Sequence, residues 1–146
     1  DTGLLLVIQG EEEIGSPWAH QLFESIELPE VVMWIDETGY FYQNGDQRIL
    51  RKGDDELLES VTQRLISVNE SEGIGTKVRN RFMTKAFGLE NCPCIAHLLG
   101  DKPYLAIGPN DDKTKVHGPD ESMDFDLLPI CTKHLQAVID EVQSRC

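Results

Sequence analysis

Glu12, Glu13, Asp36 and His117 have the types and placement suited to metal-assisted hydrolysis. Glu11, Glu12 and Glu13 are adjacent, at the exit of the apolar run Leu4 to Gln9. Neighbouring carboxylates repel one another, and a divalent cation offsets that repulsion. Asp36 ends a second apolar run, Val31 to Ile35, and His117 lies in the polar loop 108–121 that follows a third, Tyr104 to Ile107. Carboxylate oxygens and a neutral imidazole are good zinc ligands. A carboxylate that stays off the metal can accept a proton from water. The competing reading leaves Glu11 to Glu13 in an exposed turn, favouring the N-terminal end of the next helix.

These residues must be carried by elements that end at one edge of a sheet. Leu4 to Gln9 and Val31 to Ile35 read as buried strands, with a helix between them that starts at Ser16-Pro17 and shows Ala19, Leu22, Phe23 and Ile26 on one face. Strand, helix and strand in that order predict a parallel βαβ unit. In open parallel sheets, ligands bind beyond the carboxyl ends of the strands. Asn44-Gly45 predicts a hairpin. Asp54 or Asp55 predicts the cap of a helix with Leu58, Val61, Leu65 and Val68 on its face. The stretch 69–76 reads as a loop, and a helix is expected over Val78 to Phe87. Cys94 to Leu99 and Tyr104 to Ile107 read as strands. A last helix begins near Asp124 or Asp126, with a stripe of Leu128, Cys131, Leu135, Val138 and Val142. The expected fold class is α/β: a three-layer domain with a mainly parallel central sheet, helices on both faces and one hairpin.

The length of 146 residues fits one domain, 1–146. A net charge of −13 argues against nucleic acid and anionic membranes as partners. No apolar run approaches the roughly 20 residues of a membrane span. The opening at Asp1 reads as neither a signal peptide nor an initiator-Met start, which predicts a piece cut from a longer protein. The spacing of Cys92, Cys94, Cys131 and Cys146 is no disulfide framework and predicts a reducing, cytoplasmic setting. Cys92, Cys94 and His97 read as residues of a buried strand rather than a metal site. His20 and His134 read as surface or boundary residues of helices, and Trp18 and Trp34 as packing residues.

The string "GEEEIGS" resembles the Glu-Glu motif of the M20 metallopeptidase family, which includes zinc dipeptidases, aminoacylases, carboxypeptidases and acetylornithine deacetylase-type enzymes. "VVMWID" resembles the strand that delivers the next carboxylate ligand, and "IGPNDDKTKVHGPDES" the segment that holds the last His ligand. The resemblance covers the C-terminal part of a catalytic domain. It implies Glu12 as general base, Glu13 as a ligand of one zinc, and Asp36 and His117 as ligands of the other. It also implies a two-zinc site, with cobalt or manganese as alternative metals, and hydrolysis of amide bonds in dipeptides or N-acyl amino acids. The protein partners it admits are a second copy, as a homodimer, or a missing N-terminal half. This chain departs from the pattern in three ways. The first His-x-Asp motif and the bridging Asp do not precede Glu11, the inserted lid is absent, and Lys77 stands where the substrate loop would carry an acid. Two alternatives stand beside this reading: a catalytically silent remnant that binds a metal or partner, and a lid-less aminopeptidase in the M28 style.

Overall fold

The protein is described here by a computed structural model covering residues 3–8, 18, 21, 25–37, 39–81 and 102–145. Asp55 starts helix α1 (Glu56–Ser71): its backbone is extended and its carboxylate accepts a hydrogen bond from the Leu57 N–H at 2.6 Å. Leu58, Val61 and Leu65 follow at helical spacing and are buried. Gly73, left-handed at φ +72°, ends the helix. The Gly73 N–H donates to the Glu70 carbonyl and the Ile74 N–H to the Asn69 carbonyl, so the last carbonyls stay satisfied. Helix α2 (Leu128–Arg145) is entered through a 3-10 turn, Phe125–Leu127, capped by Asp124. Pro129 falls in its first turn, where no N–H is needed.

Both helices among the described residues pack on one face of a mixed sheet. The strands are β1 (Trp34–Asp36), β2 (Tyr40–Phe41), β3 (Gln47–Lys52), β4 (Thr76–Asn80), β5 (Tyr104–Ala106) and β6 (Asn110–Asp111). β3 is antiparallel to β2 at its start and to β5 at its end, and parallel to β4 along its other edge. β1 pairs parallel with β5, and β6 parallel with β2. The helix-covered core holds Ile49, Leu58, Val61, Leu65, Leu105, Ile107 and Val138. A smaller cluster of Leu50, Tyr104 and Ala106, with Trp34 against it, lies on the opposite face.

Because β5 adjoins β3 at one end and β2 adjoins it at the other, the chains through β1–β2 and β5–β6 exchange places, with Glu37 and Gly39 beside Ile107 and Gly108. Glycine permits that crossing. A Cβ on Gly39 would lie 1.9 Å from the Gly108 nitrogen, and one on Gly108 would lie 2.4 Å from the Glu37 carbonyl oxygen. Only a residue without a side chain lets two backbones come this close.

The expected fold class is corrected by this arrangement. The sheet is mixed rather than mainly parallel, and among the described residues both helices lie on one face rather than on two. The hairpin at Asn44-Gly45 turns the chain back, so β3 runs against β2 and β5. The βαβ unit that does form is β3–α1–β4. Leu4 to Ile8 is not a buried strand: its side chains are 38% to 84% exposed and it belongs to no ladder among the described residues. Val78 to Asn80, expected in a helix, are strand residues, because pairing with β3 outweighs local helical spacing. Most of the expected helix after Ser16, and the strand at Cys94 to Leu99, lie outside the described residues. Among the described residues, no helix is long and apolar enough to cross a membrane.

Candidate functional site

Asp36 is the last residue of β1 and aligns with Ala106 of the parallel neighbour β5. It is 7% exposed, which is unusual for a carboxylate. Tyr104, itself 1% exposed, donates its hydroxyl hydrogen bond to Asp36 Oδ2 at 2.8 Å. Trp34, Asp36, Tyr104 and Ala106 share the face opposite the two described helices, so the strand alternation that buries Tyr104 also aims its hydroxyl at Asp36. A buried carboxylate needs such a donor, and the bond fixes its orientation.

The chain beyond β5 leads through β6 into the turn that carries His117. Thr114 is buried and anchors that turn: its hydroxyl accepts from the Asp111 N–H at 2.8 Å, and its carbonyl accepts from the Ser122 N–H at 3.0 Å. Lys115, His117 and Asp120 are left-handed, at φ +53°, +59° and +61°. Three such non-glycine residues within six positions hold backbone strain in one short turn. His117 is half-buried there.

Glu12 and Glu13 lie outside the described residues, as do Cys92, Cys94 and His97. Among the described residues, no three His, Cys, Asp or Glu side chains are gathered as a metal site. The two described donors, a buried carboxylate and an imidazole, are types that suit zinc.

Gln47, Asn69 and His134 form a second constellation that sequence reasoning missed; each is 0% exposed. The Gln47 amide nitrogen lies 3.1 Å from His134 Nδ1, His134 Nε2 lies 2.6 Å from Asn69 Oδ1, and Asn69 Nδ2 donates to Gln47 Oε1 at 2.8 Å. Donors and acceptors close this ring when His134 is neutral and protonated on Nε2. Burial pushes the His134 pKa down to about 4. The expectation of a surface or boundary histidine is thus corrected. A signal was present: Asn69 lies four residues after Leu65 and His134 four residues before Val138, so both interrupt buried apolar stripes. The pocket beside His134, lined by Glu37, Ile107, Gly108, Cys131 and Leu135, measures about 10 Å³ and is too small for a substrate. Burial, with the Glu37 charge, pushes the Cys131 thiol up to about 11, which keeps it protonated and unreactive near neutral pH.

The closed ring ties helices to strand and carries no reactive group open to a ligand. The Asp36–Tyr104 pair, at a strand end beside the crossing, is the better candidate for chemistry. Comparison with family models, with curated proteins and with solved structures finds no match for this chain.

Proposed function

We propose that this chain is part of a zinc-dependent hydrolase of the M20 type, acting on amide bonds of dipeptides or N-acyl amino acids. The observation that carries the reading is Asp36: a buried carboxylate at a strand's carboxyl end, oriented by Tyr104 at 2.8 Å. Metal-binding carboxylates are commonly held by such a hydrogen bond from outside the coordination sphere. The left-handed turn around His117 supports the same reading, because strained backbone clusters at functional sites. The mixed sheet differs from the mainly parallel sheet that the resemblance implies, so the reading rests on residues and not on architecture.

In this reading Asp36, His117 and Glu13 hold metal, and the Glu12 carboxylate accepts the proton of the attacking water. Zinc, when bound, supplies Lewis acidity toward the amide carbonyl. Tyr104 keeps Asp36 in one orientation. The family pattern also includes a His-x-Asp motif and a bridging Asp, and neither precedes Glu11 in this sequence.

The test is calorimetric zinc titration of the chain beside Tyr104→Phe, Asp36→Asn and His117→Ala. Asp36→Asn and His117→Ala are expected to weaken binding most, and Tyr104→Phe by roughly 10- to 100-fold. Absence of zinc binding in a folded sample overturns the reading and favours the silent remnant. Binding that is retained should be followed by hydrolysis assays on N-acetyl amino acids.

A further inference from the structure

The chain has a net charge of −13, yet neighbouring strands β3 and β4 carry five cations and no acid: Arg48, Arg51, Lys52, Lys77 and Arg79. Strand register sorts these cations between the faces. Arg51 lies on the helix-covered side, where it meets Glu59 at 2.6 Å. Arg48 pairs with Lys77 and Leu50 with Arg79, so Arg48, Lys77 and Arg79 share the face opposite the two described helices. Like charges directly opposite one another are unfavourable in a sheet. Here each is held by an aromatic ring of the hairpin: Arg48 lies 4.6 Å from the centre of Tyr40, and Lys77 lies 4.7 Å from that of Tyr42. The two rings stand edge to face, 5.9 Å apart. Asp46 also meets Lys77 at 2.9 Å. Arg79 is exposed, as is Arg81 just beyond the strand.

β4 pairs only with β3 among the described residues, so its outer edge presents backbone N–H and C=O groups. Along that edge Lys77 and Arg79 face one way, and the half-buried Val78 faces the other. A shallow surface depression, lined by Tyr42, Gln43, Asn44, Lys77 and Asp112, adjoins the strand at Lys77. The Tyr40 hydroxyl and the Gln43 N–H both donate to Asp112, which holds its carboxylate against the hairpin.

We infer that the outer edge of β4 docks an extended peptide whose acidic side chains alternate with apolar ones. Backbone hydrogen bonding adds the peptide to the sheet. Carboxylates two residues apart then fall opposite Lys77 and Arg79, and the apolar residue between them falls opposite Val78. A polyphosphate is the weaker match, because it cannot reproduce the strand's backbone pairing. The inference is independent of the hydrolase reading.

The test uses a fluorescein-labelled peptide of alternating glutamate and valine, with an alternating lysine–valine peptide and a thymidine oligonucleotide as comparators. Anisotropy gives affinity, and amide hydrogen exchange locates the bound peptide. The acidic peptide is expected to bind and to protect the β4 amides. Arg79→Glu, at an exposed position, should weaken it about tenfold, and added salt should weaken it further. Lys77→Glu combined with Arg79→Glu should transfer preference to the lysine–valine peptide. Equal affinity for both peptides with the unaltered chain, tighter binding of the oligonucleotide, binding without β4 protection, or no binding overturns the inference.

Discussion

The two faces of β3 differ in how they treat polar side chains. On the helix-covered face, Gln47 and Ile49 are fully buried, and Gln47 closes a neutral hydrogen-bonded ring with Asn69 and His134. On the other face, Arg48 stays charged, stacked on Tyr40 beside Lys77 and the exposed Arg79. Where the helices seal off water, Gln47 is tolerated in a closed set of uncharged partners, and Arg51, at the half-buried end of the strand, keeps its charge against Glu59. On the face away from the two described helices, charge persists at exposed positions and can meet a ligand. One strand thus serves as core on one side and as recognition surface on the other.

The largest expected effect removes the crossing on which both faces depend. Gly39→Ala drives a methyl into the Gly108 backbone, and urea denaturation should show a loss of about 4 kcal/mol or no cooperative folding. Leu58→Ala opens a cavity in the helix-covered core and should cost about 3 kcal/mol in the same measurement. Leu50→Ala, in the smaller cluster, should cost less; an equal cost would break the comparison.

Acid should act on the covered face through His134. Its folded pKa is about 4 against an ordinary 6.5, so the unfolded chain takes up the proton first. This contribution is complete above pH 6.5, falls as pH drops toward 4, and by then has cost about 3 kcal/mol. The difference between the unaltered chain and His134→Gln isolates it from Asp46, Glu59 and Glu141, whose hydrogen-bonded carboxylates also sit below their ordinary range. Asn69→Ala leaves His134 and Gln47 each short of a partner and should cost about 2 kcal/mol at neutral pH. The smallest effect lies on the open face: Arg79→Ala should shift stability by less than about 0.5 kcal/mol. A larger loss would make Arg79 part of the packing rather than of a recognition surface.

Local signals in the sequence determined the caps and the hairpin. Asp55 and Asp124 cap their helices because a carboxylate beside free N–H groups needs nothing from the rest of the chain. Asn44-Gly45 turns the chain because Gly45 adopts φ +84° at no steric cost. The sequence also marked Asp36 as a strand-end acid and His117 as a loop histidine. Tertiary structure decided which strands pair and which face is covered. Leu4 to Ile8 has the composition of a buried strand but lies exposed, and Val78 has helical spacing but extends beside β3. Strand pairing joins residues far apart in the chain, and local periodicity cannot specify the partner. For the same reason the Tyr104 bond to Asp36, 68 positions away, and the Gln47–Asn69–His134 ring emerge only when the chain is folded. Each is a polar group whose environment is supplied by distant elements.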